Sequence, residues 1–486
     1  MKTIATHKLT EQVHTPDYDR GRFKTKMVHL GFGAFHRGHQ ALYTDELASK
    51  AGSDWGYCEV NLFGGEQLLD MLRSQDHLYT VVEKSSVNTT ARVVGSIRES
   101  LHPSLDGKHA ILEKMAEPQV AIVSMTITEK GYCIDPATGS LDRFHPLIIH
   151  DVENPSKPES AIGYIVEALR LRRQRSRKPF TVMSCDNLQE NGRIAKTAIV
   201  EYANMLDLEL GEWIESNVTF PSTMVDRIVP AVNKETLNEI SGVLGCYDPC
   251  GVLCEDFRQW VIEDNFVADR PDWNLVGAEF VENVVPYEEM KLRMLNGTHS
   301  FLAYLGYLGG YKHISDAMEN DYYHRAASEM MKSQAASLDM PEGTDLNAYA
   351  RLLIERFSNP NLKHQTWQIA MDGSQKIPQR FAGSLKYHLE QGSNFSWLAT
   401  AIAAWMRYVS GQDEQGNDID VVDPMREILR GVCDVHGKCI SVVPALLSIE
   451  SIFPPELGRN PQVIGTVSAA YQSLIDNGSR ETVAQL

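Results

Sequence analysis

The sequence predicts an α/β domain with a mostly parallel sheet, followed by a mostly α-helical domain. Between residues 27 and 184, short β-rich runs alternate with helical periodicity, as expected when helices connect parallel strands. After about residue 286, strand signals nearly vanish and helical periodicity dominates. The 486 residues also exceed the length of one ordinary core, so we predict two domains, residues 1–285 and 286–486.

The first domain begins with a short polar leader over residues 1–26. A first strand at 27–30 then runs through a glycine turn into a helix at 40–50. This order of strand, glycine turn and helix opens a Rossmann-like dinucleotide-binding domain. Further strands are predicted at 55–62, 79–83, 120–126, 180–184 and 218–225, with a helix at 161–173.

The second domain is predicted to consist of amphipathic and buried helices. The periodic stretches cover residues 288–308, 322–333, 346–358, 397–410 and 461–477. The most apolar of them, at 397–406, is too short to span a bilayer and is predicted to be a buried helix. A polar, glycine-containing stretch at 411–418 predicts a surface loop.

Composition limits the functional classes. A net charge of −18 argues against a nucleic-acid partner, because phosphate binding needs clustered Lys and Arg. No signal peptide and no membrane span are predicted, and eight dispersed cysteines suit a reducing cytoplasm. We therefore expect a cytoplasmic enzyme acting on a small molecule. The oligomeric state is not predicted.

The glycine turn indicates where a dinucleotide would bind. Gly31 and Gly33 permit a tight turn and a close approach of the backbone to a pyrophosphate, but the third position of the usual fingerprint holds His36. An acidic residue near the end of the second strand, Glu59 or Glu66, would bind the adenosine ribose and favour NAD over NADP. The predicted cofactor-binding residues are Gly31, Phe32, Gly33, Ala34, Phe35 and Glu66.

The segment from Lys291 to His299 carries the strongest catalytic signal. At about 100° per residue in an α-helix, Lys291 and His299 lie about 80° apart, with Asn296 close to His299 and Glu288 inside the same arc. An amine beside an imidazole, an amide and a carboxylate suits proton transfer to or from a carbonyl or hydroxyl oxygen. The alternative is a solvated helix N-terminus.

Polar clusters at the carboxyl ends of strands are further candidates, because ligands bind there in open α/β sheets. They lie at residues 126–130, 184–187 and 226–227. Asn187 could hydrogen-bond a developing oxyanion alongside Asn296. Later in the chain, Lys376 and Arg380 form a cationic segment that could anchor a substrate carboxylate. Turn-forming residues and a solvated loop are the alternatives.

Two cysteine patterns resemble metal sites without completing one. Cys433, His436 and Cys439 have plausible spacing, and three further cysteines recur every fourth residue from 246 to 254. Neither pattern has a convincing second ligand pair. We therefore predict buried or incidental thiols and no metal; a zinc enzyme is the alternative.

Across nearly its whole length the chain resembles the polyol-specific long-chain dehydrogenase family, also called the mannitol dehydrogenase family. The resemblance lies in the segments VHLGFGAFHRGHQ, SMTITEKGYCID, FTVMSCDNLQENG, MVDRIVP, PYEEMKLRMLNGTH and DGSQKIPQR. Within the family, QDHLYTVVEK and TWQIAMDGSQKIPQR place it nearest the fructuronate reductase branch. The family is metal-independent, so the resemblance also implies no metal.

The resemblance implies an NAD-dependent enzyme of hexuronate catabolism that interconverts D-fructuronate and D-mannonate. It makes Lys291 the general acid/base, lets Asn187 and Asn296 polarise the reacting oxygen, and has His299 orient the substrate. Further pocket positions correspond to Asp226, Glu129, Glu288 and Lys376.

One departure from the mannitol-specific members separates the possible substrates. Gln368 stands where those members carry an arginine, which puts an unmodified hexitol in doubt and leaves Lys376, Arg380 and His364 as candidate partners of a uronate carboxylate. A mannitol or arabinitol dehydrogenase, a tagaturonate reductase and a non-catalytic nucleotide-binding protein remain alternatives.

Overall fold

A computed structural model describes Ile4, Leu9 and residues 12–486. The remaining residues of the predicted leader lie outside the described residues. The chain divides into two compact units, Met1–Val285 and Pro286–Leu486.

Three β-sheets are found among the described residues of the first unit. In chain order the strands are β1 (Val13–His14), β2 (Lys24–Leu30), β3 (Trp55–Val60), β4 (Tyr79–Lys84), β5 (Thr89–Val94), β6 (Ile97–Leu101), β7 (Ile122–Met125), β8 (Thr181–Ser184), β9 (Thr223–Asp226), β10 (Val252–Glu255), β11 (Gln259–Glu263) and β12 (Glu279–Val281).

The central sheet has five parallel strands in the order β6-β3-β2-β7-β8. Numbered along the chain within this sheet, the order is 3-2-1-4-5, which is the Rossmann order. Because the sheet reverses its winding between β2 and β7, a crevice opens beyond the carboxyl ends of these two strands. The predicted Rossmann-like fold with a parallel sheet is confirmed.

Helices cover the central sheet on both faces. On β2, Val28 and Leu30 belong to one apolar cluster, which includes residues of α5, α8 and α9, and Met27 belongs to another, which includes residues of α2 and α3. Burial on both faces explains why the second half of β2, residues 27–30, is mostly apolar. The helices are α1 (Ala34–Gly38), α2 (Gln40–Ala51), α3 (Glu66–Ser74), α4 (Pro103–Asp106), α5 (Lys108–Ala116), α6 (Thr128–Gly131), α7 (Pro146–Glu153), α8 (Ala161–Gln174), α9 (Asn191–Leu206), α10 (Leu208–Asn217) and α11 (Lys234–Leu244), with 3-10 turns at Arg20–Arg22 and Trp273–Val276.

Two predicted strands lie outside the parallel sheet. Strand β4 pairs antiparallel with β5 in a mixed sheet of order β1-β5-β4-β10. Strand β9, predicted at 218–225, begins only at Thr223 and belongs to a third sheet, β12-β11-β9. The apolar runs of β4 and β9 resemble those of the central strands, so composition alone does not indicate which sheet they join.

The second unit is almost entirely helical, as predicted. The predicted buried helix, α20, is buried from Leu398 to Val409 and packs against α24 and α13. No helix formed by the described residues is long and apolar enough to cross a membrane. The helices are α12 (Val285–Met290), which starts at the boundary, α13 (Thr298–Leu308), α14 (Ile314–Met318), α15 (Asp321–Ala335), α16 (Leu346–Phe357), α17 (Thr366–Ala370), α18 (Gly373–Ile377), α19 (Gly383–Gln391), α20 (Ser396–Val409), α21 (Arg426–His436), α22 (Val442–Leu447), α23 (Pro455–Gly458) and α24 (Pro461–Gln485).

The helix predicted at 288–308 is interrupted by a π-helical segment, Lys291–Gly297, between α12 and α13. A second π-helical segment, Pro378–Ala382, joins α18 to α19 and packs against the first. Because π-helical hydrogen bonds run from i to i+5, the angles predicted for a regular α-helix at about 100° per residue are wrong for the segment that carries Lys291 and Asn296.

Candidate active site

The glycine turn lies directly after β2. Gly31 has φ +113°, and a Cβ atom there would lie 2.2 Å from the carbonyl oxygen of Thr126, so only glycine fits. The N–H of Gly33 donates to the Gly31 carbonyl at 2.7 Å. A Cβ on Gly33 would meet only that carbonyl oxygen, at 3.9 Å. The fold therefore requires the first glycine, whereas the second leaves space beside the turn.

A cavity of about 390 Å³ opens at the carboxyl ends of β2, β3 and β7. It lies at the point where the sheet reverses its winding, which is where dinucleotides bind in this fold, and its volume is within the range of ligand sites. The glycine turn, the apolar lining and this position fit a dinucleotide. Residues that line the cavity include Gly31, Asn61, Phe63, Thr126, Lys130 and His145.

Neither acidic residue considered for the ribose is among the residues that line this cavity, and the binding of a ribose by Glu66 stays a prediction. Glu59 is fully buried and accepts a hydrogen bond from His36 at 2.8 Å, so it is turned into the core. Glu66 begins α3, and its carboxylate lies 3.7 Å from His102. The cavity is instead lined by Asn61, the first residue after β3. The sequence analysis does not select Asn61. The one signal that could have indicated it is its position directly after the second strand.

The other predicted cofactor-binding residues of the turn lie where it leads into α1. Phe32 is buried, with the Arg37 guanidinium 4.9 Å from its ring centroid. Ala34 is the first residue of α1. The Phe35 ring stacks on His39 with centroids 5.0 Å apart. These contacts fix the start of the helix, and contact of the three side chains with a cofactor stays a prediction.

Asp186, the neighbour of Asn187 in the chain, holds the loop that leads to Glu129. Its carboxylate accepts from the backbone N–H groups of Ile127 and Thr128, at 3.1 and 2.8 Å, and from the Tyr132 hydroxyl at 2.6 Å. Burial raises the pKa of Asp186. Both predicted neighbours, Glu129 and Asn187, are exposed. Asp186 belongs to the polar cluster predicted at 184–187, but the sequence pattern does not indicate that its carboxylate holds a neighbouring loop.

Asn191 ties the ends of β8 and β9 together. Its side-chain amide donates to the carbonyls of Asp186 and Thr223, at 2.9 and 2.8 Å, and accepts from the Thr223 N–H at 2.9 Å. Asp226, the last residue of β9, is buried. The structure thus places the loop with Asn187 next to the strand that leads to Asp226, which sequence spacing does not predict.

In the second unit, the predicted catalytic residues lie on one helical run. Lys291 is the first residue of the π-helical segment and is buried, as is Glu288 one turn earlier. Asn296 is half-buried in the same segment, and His299 is the second residue of α13. The catalytic roles of these residues stay predictions.

Arg380 supports the π-helical segment Lys291–Gly297 through hydrogen bonds. Its Nη1 donates to the Asn296 carbonyl at 3.0 Å and to the Ser300 hydroxyl at 2.5 Å. The amide of Gln334 donates to the Arg380 carbonyl at 3.1 Å, and a Cβ on Gly297 would lie 2.6 Å from the same amide nitrogen. Arg380, predicted as a carboxylate anchor, therefore also holds the backbone of a predicted catalytic residue in place.

Cationic groups surround His299. Burial lowers the pKa of His299 well below its usual range, and the nearby His364, Arg380, Arg356 and Lys376 lower it further. Its ring is therefore neutral, and its buried Nε2 has no hydrogen-bond partner among the described residues. A neutral imidazole with one open nitrogen can accept from or donate to a substrate hydroxyl.

Two of these cations have strongly shifted pKa values. Burial, together with Arg380, lowers the pKa of Lys376 to about 8. Burial lowers the pKa of Arg380 to about 10. His364 lies with its ring centroid 5.2 Å from that of His299, and burial lowers its pKa to about 4. At neutral pH both Lys376 and Arg380 are charged, which makes this part of the second unit electropositive.

The cysteine thiols within each pattern face different neighbours. The buried Cys433 thiol points to the Val409 carbonyl at 3.9 Å, whereas the exposed Cys439 lies beside the His436 carbonyl at 3.0 Å. Cys250 and Cys254 contact the carbonyls of different neighbours, Leu68 and Val82.

The chain matches known proteins over its whole length. The mannitol dehydrogenase Rossmann domain matches residues 25–275, and the mannitol dehydrogenase C-terminal domain matches residues 283–475. D-mannonate oxidoreductase of Escherichia coli (strain K12) is 58% identical, with 100% of both chains covered.

Two solved structures are also similar. Mannitol 2-dehydrogenase of Pseudomonas fluorescens, in a ternary complex with NAD and D-mannitol, is 36% identical with a TM-score of 0.81, covering 98% of this chain and 97% of its own. A substrate-free D-sorbitol dehydrogenase is 33% identical with a TM-score of 0.91, covering 98% of both chains. The predicted resemblance is confirmed: the chain belongs to the mannitol dehydrogenase family.

Proposed function

We propose that this protein is an NAD-dependent oxidoreductase that interconverts D-fructuronate and D-mannonate. The structural observation that carries the proposal is the group of cations around His299, which includes Lys376 and Arg380. A positive field attracts the carboxylate of a sugar acid and offers little to a neutral polyol. The relative named D-mannonate oxidoreductase, 58% identical over the full length, supports the same substrate class.

The cofactor is assigned to the cavity beside the Gly31 turn, with Asn61 and Lys130 among its lining residues. Bound NADH would supply the hydride that reduces the ketone carbon. The backbone of the turn would hold the pyrophosphate, since Gly33 carries no side chain that would keep it away. The apolar lining of the cavity excludes water from the rest of the dinucleotide.

Lys291 is proposed as the general acid. Its ammonium donates a proton to the ketone oxygen as the carbon is reduced, which leaves a neutral amine that takes a new proton from solvent. Asn187 and Asn296 donate amide hydrogen bonds to the same oxygen and stabilise its alkoxide character. His299 orients a substrate hydroxyl. In the reverse direction the neutral amine accepts the proton.

The substrate carboxylate is assigned to Lys376, with Arg380 and His364 as supporting groups. Lys376 Nζ donates to the Ile369 carbonyl at 3.2 Å, and because an ammonium has three N–H groups, further donors remain for a ligand. Arg380 uses Nη1 within the protein. Its positive charge therefore attracts the substrate carboxylate, even though the whole guanidinium is not available for a two-point hydrogen bond.

Replacing Lys291 tests the chemistry. We expect Lys291→Ala to lower kcat by at least about 10²-fold while the Kd for NADH stays within about twofold, because Lys291 acts on the substrate oxygen. Lys332→Ala is a matched control, since Lys332 is exposed and paired with Glu329; its kcat should equal that of the parent. Full turnover by Lys291→Ala removes the lysine from its role.

A substrate panel tests the specificity. Initial rates with fructuronate, tagaturonate, fructose and mannitol, each with both nicotinamides, should give the highest kcat/KM for fructuronate with the non-phosphorylated cofactor. The similarity to mannitol 2-dehydrogenase makes a polyol dehydrogenase the second candidate, and a preference for fructose over both uronates would favour it. NADH binding without turnover of any of the four would indicate a non-catalytic nucleotide-binding protein.

A further inference from the structure

Three fully buried titratable side chains, His29, His36 and Glu59, lie beneath the glycine turn. His29 belongs to β2, His36 to α1 and Glu59 to β3. The proposed proton transfer does not use any of them. Because burying such groups is costly unless they are hydrogen-bonded, their arrangement indicates a function for the turn above them.

The imidazole rings of His29 and His36 lie face to face. Their centroids are 3.5 Å apart and their planes are 13° from parallel, and the edge of Tyr57 packs against the pair. His36 occupies the third position of the glycine fingerprint, where glycine ordinarily allows a helix to pack closely on the first strand. Here two flat rings fill the gap between α1 and β2.

Hydrogen bonds fix which nitrogen of His29 carries its proton. The Thr126 hydroxyl donates to the Gly31 carbonyl at 3.1 Å. Since a hydroxyl has one hydrogen, Thr126 must accept from His29 Nε2, which lies 2.9 Å away. Burial lowers the pKa of His29 well below its usual range, so the ring is neutral and Nδ1 accepts from the Ser124 hydroxyl at 2.8 Å.

The second ring is held from the other side. His36 Nε2 lies 2.8 Å from a Glu59 oxygen, and Nδ1 lies 3.3 Å from the Gln40 side-chain oxygen. Glu59 thereby keeps the His36 ring flat against His29. All four ring nitrogens of the stacked pair are engaged by strands or helices that surround the turn.

A metal ion is the competing explanation, because donor atoms of His29, His36 and Glu59 lie within 4.8 Å of one another. The ring stacking argues against it. A nitrogen lone pair lies in the plane of its ring, so two stacked rings direct their lone pairs into parallel planes and not to one point. The hydrogen bonds already described also occupy these nitrogens.

We propose that the stacked imidazoles of His29 and His36 position the Gly31 turn for the dinucleotide, in place of the missing third glycine. His29 acts through Thr126, which holds the Gly31 carbonyl; this carbonyl also accepts from the Gly33 N–H. A peptide group whose carbonyl accepts two hydrogen bonds is polarised and donates more strongly at its N–H, here that of Phe32. The inference rests on the proposed cofactor function.

A pair of Thr126 variants tests the connection at the rim of the cavity. Thr126→Val removes the hydroxyl, and Thr126→Ser retains it. In fluorescence titrations of the full-length protein with NADH, the valine variant should bind about tenfold more weakly, as for the loss of a hydrogen bond to a polarised group. The serine variant should bind like the parent.

A pair of His29 variants provides an independent readout. A glutamine amide overlies the Nε2 position and can still donate to Thr126, whereas an asparagine amide overlies Nδ1 and cannot. His29→Gln should therefore retain NADH affinity and His29→Asn should lose it, at similar melting temperatures. His36→Gly, which restores the glycine fingerprint, should weaken NADH binding because the stack is lost.

The outcomes separate this inference from the proposed function. If the parent protein binds no nicotinamide cofactor, the proposed function fails. If the parent binds NADH but Thr126→Val and His29→Asn bind it equally well, the positioning role of the stack is refuted while the function stands. Stoichiometric metal in the purified protein that is lost in His36→Gly would also refute the role.

Discussion

We expect replacement of Gly31 with alanine to destabilise the first unit and not to act directly on the chemical step. The residue has φ +113°, a backbone conformation that side chains with a Cβ rarely adopt, and the added Cβ would lie 2.2 Å from the Thr126 carbonyl oxygen. That neighbour is backbone in the loop after β7 and cannot rotate away. Relief requires β2 or the 126–128 loop to move.

The cost follows from two contributions. A strained backbone conformation costs about 1–3 kcal/mol, and overpacking against a rigid neighbour costs about 1–3 kcal/mol. Together they lower the free energy of unfolding by about 2–6 kcal/mol. For a large domain, 1 kcal/mol corresponds to about 2–4 °C in Tm, so the Tm should fall by about 4 °C or more.

Gly33→Ala is the matched control, because its Cβ would meet only one atom, at 3.9 Å, in an ordinary backbone conformation. Its Tm should stay within about 2 °C of the parent, yet NADH should bind at least about tenfold more weakly, since the methyl group occupies the approach to the turn. Thermal unfolding followed by circular dichroism and NADH titration measure the two effects. Equal Tm values for both variants would refute the assignment of the first glycine to folding and the second to binding.

Three further predictions concern the second unit. Arg380→Lys keeps a charge but cannot replace both Nη1 contacts, so kcat should fall about 10- to 100-fold through displacement of Asn296; an unchanged kcat in steady-state assays would contradict this. Because the pKa of Lys376 is lowered to about 8, its ammonium is lost as pH rises through 8. The KM for fructuronate should then increase with pH, and in Lys376→Met it should be high and independent of this titration. Gly297→Ala places a Cβ 2.6 Å from the Gln334 amide and should lower stability by about 1–3 kcal/mol, whereas Gly465→Ala, in open space on α24, should not lower the Tm.

The layered organisation of the first unit is predictable because its strands obey a simple rule. Strands buried on both faces are mostly apolar, and the second half of β2 (residues 27–30), β3 and β7 are mostly apolar with turn signals at their ends. The buried His29, Glu59 and Ser124 are the polar exceptions. The same rule fails for β4, whose antiparallel partner and separate sheet depend on the hairpin to β5. Apolar content reports burial and not the identity of the neighbouring strand.

The candidate site is predictable in residue type but not in geometry. The spacing from Lys291 to His299 indicated a shared helical run, and the structure shows one. The π-helical segment within it packs against Arg380 and Gln334, which are about 40 to 90 residues away in sequence. No local pattern reports such a contact. Likewise, the burial of Glu59 by His36 depends on two elements meeting across the sheet.

The π-helical segment makes this part of the chain more sensitive to length than to composition. Adding or deleting one residue between Lys291 and Gly297 would rotate every later side chain of the run about the helix axis, which would change the direction of the His299 imidazole relative to the Lys291 amine. Point substitutions leave that phase intact. Engineering of this part of the chain should therefore preserve the residue count of the segment.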